Sequence, residues 1–294
     1  MNLINNNFRT DLAIELQEIS SKKLDGVSVS EKKFNNIKIS KVNIETEEAG
    51  LKFGKPVGIY YTIELPSFRE LSYLTDDEIK IISNKISKFF ISDNDLVLVV
   101  GLGNRDITPD SVGPRTVSKI ISTRHVKSDI NFSDQFKNLR SVAAIAPGVL
   151  GQTGIEISEI IKSLVEKINP SVVILIDALV SQNINRLGST IQISNSGISP
   201  GSGVMNPRKE ISEKLLGVPI ISIGIPTVVD AKTIINNITN NKINTEFLEQ
   251  ISPMIVTPKE IDNIIKHSSN ILSLIINKAL QSNLLIEDIK SLVF

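Results

Sequence analysis

Three short, continuous apolar runs constrain this chain most: Leu96 to Val100 (LVLVV), Val142 to Ile145 (VAAI) and Val172 to Ile176 (VVILI). Each is shorter than an ordinary helix, and two are dominated by Val, Ile and Leu. Such runs read as strands covered on both faces, the situation inside a parallel sheet. Between and around them the period changes to 3.6. Ile79, Ile82, Ile86, Phe89 and Phe90 fall on one helical face behind Thr75-Asp-Asp-Glu78. Val117, Ile120 and Ile121 follow Pro114, a residue suited to the first helical position. Ile157, Ile160, Ile161, Leu164, Val165 and Ile168 follow Thr153-Gly-Ile-Glu156, and Ile261, Ile264, Ile265 and Leu272 follow Thr257-Pro-Lys-Glu260. Each Thr-x-x-Glu reads as a capping box. Thr190 to Ser194 and Pro219 to Ile225 add strand candidates. Strands alternating with helices predict an α/β fold, a doubly wound, mostly parallel sheet flanked by helices, with right-handed crossovers.

The N-terminal part reads differently. A polar, Asn-rich leader covers residues 1–11, and a short helical pattern begins near Thr10. Ile37 to Ile44 (IKISKVNI) alternates, slips one register at Ser40-Lys41 and alternates again, which predicts a strand with a bulge. Gly58 to Leu65 is a second strand. The organisation expected is a propeptide-like leader, 1–11, then one domain, 12–294. Its β-rich N-terminal portion spans 12–75 and its α/β core 76–294. The Asn-rich stretch Asn236 to Asn244 reads as a loop or helix end.

Composition removes several classes of function. The 32 basic and 32 acidic residues cancel, which argues against a protein that coats nucleic acid. There is no Cys, hence no disulfide, thiolate metal site or Cys nucleophile. Only two His exist, His125 and His267, too few for a multi-His metal site. His125 lies near a helix end and His267 within the last helix, where a surface or packed role is the simpler reading. No metal or cofactor is expected. The longest apolar stretch, Val218 to Val229, is broken by Ser222, Gly224 and Pro226, and a membrane span needs about 20 apolar residues. Met1 to Asp11 lacks the apolar core of a signal peptide, so an intracellular, cytoplasmic protein is expected.

In open α/β sheets, chemistry gathers at the carboxyl ends of the strands. Gly101 to Pro114 follows the first buried run and opens Gly-Leu-Gly, yet the third glycine of a dinucleotide fingerprint is replaced by Asp106. Asp110 in that loop and Asp177 after the VVILI run are acids beside strand ends. Were the two strands neighbours, the carboxylates would face one crevice and share a proton. Such a pair activates water and protonates a leaving amine without Ser, Cys or metal. Each acid also has a plainer reading: Asp110 closes a turn after Thr-Pro, and Asp177 caps the segment after its strand. Asn104, Arg105, Asp106 and Asp230 are candidates for supporting the pair or touching substrate. Arg115, Arg208 and Lys209 either line an acidic substrate's path or are solvated surface charges.

Together these blocks resemble one family. Val99-Val-Gly-Leu-Gly-Asn104, Thr108-Pro-Asp-Ser-Val-Gly-Pro114, Thr123-Arg-His125 and Ala146-Pro-Gly-Val-Leu-Gly-Gln-Thr-Gly154 resemble the bacterial spore germination proteases. So do Ile176-Asp-Ala-Leu179, Pro200-Gly-Ser-Gly-Val-Met-Asn-Pro207, Gly224-Ile-Pro-Thr-Val-Val-Asp-Ala231 and Val256-Thr-Pro-Lys-Glu-Ile-Asp262. The likeness runs in order from about Thr10 to the C-terminus. It implies an atypical aspartic-type endopeptidase, related in fold to the peptidases that mature hydrogenases, with Asp110 and Asp177 as the paired acids. It implies degradation of small acid-soluble spore proteins at germination, a homotetramer, and residence in the forespore and spore core. The resemblance further implies an inactive precursor that trims itself. The family cuts between an acidic residue and an apolar residue followed by Ala-x-Glu. Asp11-Leu12-Ala13-Ile14-Glu15 resembles that site, so cleavage is expected between Asp11 and Leu12. Two other readings compete: a metal-dependent peptidase of the hydrogenase-maturation type, and an inactive homologue that binds spore proteins. Neither nucleic acid nor membrane is expected as a partner.

Overall fold

The apolar runs lie side by side in one nine-stranded sheet of the computed structural model. The structure describes residues 10–19, 24–70, 73–90, 95–126, 139–201, 209–239 and 254–294. In chain order the first elements are α1 (Ala13–Ile19), β1 (Val27–Phe34), β2 (Ile37–Ile44), α2 (Glu47–Phe53), β3 (Gly58–Glu64) and α3 (Asp76–Ser87). Next come β4 (Val97–Gly101), α4 (Val112–Val117), β5 (Val142–Ile145), α5 (Leu150–Thr153), α6 (Ile157–Ile168), β6 (Val172–Val180) and β7 (Thr190–Ser194). The last are α7 (Glu213–Leu216), β8 (Ile220–Asp230), α8 (Ala231–Ile238), β9 (Ile255–Val256), α9 (Ile261–Leu280) and α10 (Ile286–Val293).

The strand order is β1-β2-β3-β7-β8-β6-β4-β5, with β9 paired to the far end of β8. Parallel pairing, expected through most of the sheet, is confined to β5, β4, β6 and β8. The β-rich N-terminal portion does not form a layer of its own. It continues the same sheet through antiparallel pairs from β8 to β7, β3, β2 and β1. After β4 the chain moves to one side, to β5, then returns past β4 to β6 on the other. The carboxyl ends of β4 and β6 therefore flank a topological switch point.

Alternation along β4 and β6 explains why their runs are apolar at every position. Val97, Val99, Ile174 and Ile176 join the core beneath α3, α4 and α9. Leu98, Val100, Val173 and Leu175 join the opposite core with Ile157, Ile161 and Val165 of α6. The same logic corrects β2, which pairs in unbroken register with both β1 and β3 and has no bulge. Ile37 and Ile39 enter the α3/α9 core, whereas Val42 and Ile44 face α1 and α2 on the other side. The apparent slip at Ser40-Lys41 is a change of which face is covered.

Only one of the three expected capping boxes forms. Thr75 Oγ1 accepts from Glu78 N at 3.3 Å, and Thr75 N donates to Glu78 Oε2 at 2.9 Å. Thr153 instead ends α5, because Gly154 turns left-handed at φ 71° and α6 begins only at Ile157. Thr257 donates to Thr227 O at 2.8 Å, and α9 begins at Ile261. Pro114 is the third residue of α4, still within the first turn, where no intrahelical partner awaits its missing N–H. Of the Asn-rich stretch, α8 takes residues up to Ile238, and 240–244 lie outside the described residues. So do leader residues 1–9 and residues 202–207 of the Pro200 block.

Candidate active site

Strand β6 runs three residues past the expected end at Asp177, to Val180, so Asp177 sits inside a strand. It pairs with Gly224 of β8 on one side. On the other side β4 stops one rung earlier, where Gly101 pairs with Ile176 and Leu102 N donates to Ile176 O at 2.8 Å. Asp177 is thus the first β6 residue beyond β4, at the mouth of the switch point.

The loop leaving β4 carries Asp110 back to this mouth. Its turn Thr108–Asp110 is a short 3-10 helix, and Asp110 Oδ2 accepts from Asn104 N at 2.7 Å. Two glycines permit the fold-back. A Cβ on Gly103, whose φ is +104°, would lie 2.1 Å from Asp110 O. A Cβ on Gly113 would lie 2.2 Å from Leu102 O and 2.5 Å from Ile176 O. The Gly-Leu-Gly pattern serves close packing of backbone on backbone.

Asp110 and Asp177 line one cleft of about 840 Å³. Burial raises the pKa of Asp110, opposed by the Asn104 N–H. Asp177, only 7% exposed, is pushed well above the usual carboxylate range, first by burial and then by the charge of Asp110. The Ala178 N–H, 2.9 Å from Asp177 Oδ1, opposes that rise, and Asp11 adds to it. Two carboxyls lining one cleft, one of them buried and raised by the charge of the other, favour ionising one at a time, with one group able to accept a proton and the other to donate.

Asp11 also lines the cleft, with Lys55, Tyr60 and Gln192. Asp11 N donates to Val180 O at 2.9 Å, and Val180 N donates to Asp11 Oδ2 at 2.8 Å. Gln192 Nε2 donates to Asp11 O at 2.7 Å and its Oε1 accepts from Ala13 N at 2.8 Å. Leu12 and Ala13 are fully buried. Lys55, from the turn after α2, is the only Lys or Arg among the described cleft residues. Burial pulls its pKa down, opposed by Asp11. Tyr60 is pushed up to about 12 by burial and donates to Pro56 O.

The other sequence candidates divide. Asn104 lines the cleft, and its Oδ1 accepts from Asp106 N at 2.9 Å and Gln152 Nε2 at 3.0 Å. Asp106 lies at the exposed rim, tied to the same Gln152 Nε2 at 3.0 Å. Arg105 is exposed and does not line the cleft. Asp230 is the N-cap of α8, accepting from Lys232 N at 2.8 Å, away from the cleft lining. Arg115 is exposed with its Nε on Ser111 Oγ, Lys209 is exposed, and Arg208 lies outside the described residues. His125 is exposed beyond α4, and His267 Nδ1 lies 2.8 Å from Phe68 O. Neither lines the cleft. Among the described residues no group of three or more His, Asp or Glu is gathered in a metal-binding set. No helix among them is long and apolar enough to cross a membrane.

Sequence reasoning missed Lys55 and Gln192. Gln192 carried a faint signal, an amide inside the apolar strand pattern Thr190 to Ser194. Lys55 carried none, since the α2–β3 turn reaches the cleft only through the sheet order.

The sequence profile of the germination protease family matches residues 7–244. A germination protease of Clostridium perfringens is 43% identical, over 96% of this chain and 98% of that protein. One from Caldanaerobacter subterraneus is 42% identical over 97% and 98%. One from Priestia megaterium is 45% identical over 77% of this chain and 64% of that protein. Among solved structures, a [NiFe] hydrogenase maturation protease, HycI, from Thermococcus kodakarensis aligns at TM-score 0.36 and 14% identity. That alignment covers 65% of this chain and 98% of that one.

Proposed function

Since this chain belongs to the germination protease family, a family of peptidases, we propose that it is an aspartic-type endopeptidase whose water is activated by Asp110 and Asp177. The observation carrying this reading is the shared cleft, in which the half-buried Asp110, from the loop after β4, and the buried Asp177 of β6 both have raised proton affinity, that of Asp177 increased further by the charge of Asp110. Asp177, the more deeply buried, keeps the proton. Asp110, turned toward the cleft by the Asn104 N–H, is the carboxylate that takes a proton from water as its oxygen attacks the peptide carbonyl. The Asp177 proton then passes to the leaving amine as the C–N bond breaks. Proton count balances over the cycle, because the proton gained by Asp110 restores the pair after a single transfer.

The substrates proposed are small acid-soluble spore proteins, degraded in the spore core at germination by a homotetramer. The precursor cuts itself between Asp11 and Leu12 and loses residues 1–11. The docking of Asp11 beside the cleft supports that reading.

Cleavage of an acid-soluble spore protein by wild type, Asp110→Asn and Asp177→Asn, with product masses read, tests the chemistry. Each amide variant is expected to fold and to lose on the order of 10²–10⁴-fold in rate, and a chelator to leave the wild type unchanged. Undiminished cutting by both variants would remove the dyad from the mechanism and leave the peptidase in place. Loss of wild-type cutting with chelator would point to a metal instead.

A further inference from the structure

Gln192 is a buried amide, 8% exposed, on β7. Through β8 it shares a rung with Asp177: Asp177 pairs with Gly224, and Gly224 with Gln192. Residues opposed on a rung point to one face of a sheet. Asp177 and Gln192 therefore project on the same side, two strand spacings or about 10 Å apart. Gly224 puts no side chain between them. Both line the cleft, with Asp110.

Gln192 grips both sides of the bond proposed to be cut. Its Nε2 donates to Asp11 O at 2.7 Å, and its Oε1 accepts from Ala13 N at 2.8 Å. A main-chain acceptor on one side and a main-chain donor on the other leave the amide one orientation. The segment does not depend on it for its seat. Leu12, Ala13, Ile14 and Leu16 are buried in one apolar cluster with Phe53, Tyr60 and Leu179, and Glu15 and Glu18 both bond Arg186. What the amide adds is a donor aimed at one carbonyl. We infer that Gln192 is a third catalytic residue, whose Nε2–H stabilises the oxyanion formed on the carbonyl of the bond cut. The inference rests on the proposed cleavage between Asp11 and Leu12. As the water oxygen bonds to the carbonyl carbon, the C=O π pair moves onto oxygen, where the Nε2–H holds it without giving up its proton. The water proton goes to Asp110. When the C–N bond breaks, the pair returns to the carbonyl and the Asp177 proton goes to the leaving nitrogen. Loss of residues 1–11 removes Asp11 O and leaves Ala13 N in place. The amide then stays oriented through its Oε1, with Nε2 open to the carbonyl of a protein substrate.

The experiment follows the chain 1–294 as it cuts itself, with product masses read, for wild type, Gln192→Met and Gln192→Glu. Met keeps the length of the side chain without the donor. Glu keeps an acceptor for Ala13 N and is a donor only when protonated. Gln192→Met is expected to slow the cut on the order of 10²–10³-fold across the pH range, with the bond unchanged. Gln192→Glu is expected to match that loss at pH 8 and to recover toward wild type as pH falls through the titration of its carboxyl. The other titrating groups of the cleft, Asp11, Asp110, Asp177, Glu156, Glu210, Lys55 and Tyr60, are common to all three chains, so the ratio to wild type reports position 192. A charge at 192 that only repelled Asp177 would hold its proton to higher pH, making the Glu loss smallest on the alkaline side. The processed enzymes are expected to show the same order in kcat on a spore protein, with KM little changed. A wild-type rate in Gln192→Met, or a Gln192→Glu loss that does not shrink at low pH, would overturn the inference and leave Gln192 a structural partner of the segment. Should Gln192→Met fold poorly, the pH ratio of the Glu variant decides alone. A wild type that cuts itself at another bond would overturn the self-cleavage site together with this role. One that cuts no substrate would overturn the peptidase reading beneath both.

Discussion

Asp177 is held where its negative charge is costliest: inside a strand, 7% exposed, beside a second carboxyl. The sign of its shift sets the pH dependence. Its pKa in the folded chain lies above the unfolded value, so between the two the folded state binds more protons. Stability therefore falls as pH rises from the ordinary carboxylate range through the raised pKa, and the penalty is constant above it. Asp177→Asn removes the penalty. The variant is expected to gain thermal stability over wild type at pH 7 and to gain least near pH 3. Equal differences at both pH values would sink the argument. On the proposed mechanism activity depends on the same proton, so kcat/KM is expected to decline on the alkaline side as Asp177 ionises. Asp110→Asn, by removing a neighbouring charge, should lower the Asp177 pKa in an NMR titration. Gly103 sets the geometry of this pair. Gly103→Ala combines a positive φ with a 2.1 Å approach to Asp110 O. It is expected to cost about 1–3 kcal/mol in denaturant unfolding and to slow cutting by displacing Asp110; wild-type values for both would show that the loop adjusts freely.

At the scale of elements, α9 backs the segment that follows the Asp110 loop. It is the longest helix among the described residues, with Ser and Asn buried among its apolar positions. Asn277, fully buried, accepts from Ile121 N at 2.9 Å and donates to Lys119 O at 2.8 Å. Those are the ends left open just past α4, the helix after Asp110. Asn277→Ala leaves both groups without that partner and is expected to cost about 1–3 kcal/mol, with a loss of activity greater than that of an equally destabilising change in α3. Elements of this kind were largely legible: β4, β5, β6, α3, α6 and α9 follow from apolar period alone. The misreadings share one cause. Ser40-Lys41 looked like a bulge, and Thr153 and Thr257 looked like caps, because local pattern does not show which face a neighbour covers or where a glycine turns the backbone.

For the whole molecule, the sheet leaves a long edge. Strand β1 ends the order and is exposed along nearly all its length, with Val29 at 41% and Phe34 at 38%. An unpaired edge of this kind is ordinarily blunted or covered, and a covering copy fits the proposed homotetramer. Sedimentation of wild type is expected to give a four-chain mass, and Val29→Lys with Phe34→Lys a smaller one. A monomeric wild type would refute the tetramer, and a tetramer untouched by the substitutions would move the interface elsewhere.

Taken by itself, the sequence determined the α/β class, the main helices and buried strands, and that Asp110 and Asp177 follow two of the buried apolar runs, because these rest on short-range period and loop position. The tertiary structure alone decided that β4 and β6 are neighbours, that β6 outruns β4 by the rungs that bring Asp177 to the cleft, and that Lys55, Gln192 and Arg186 gather around the N-terminal segment. Strand order and strand-end offset come from which faces bury against each other across the whole chain. That balance is long-range, and no window of local sequence contains it.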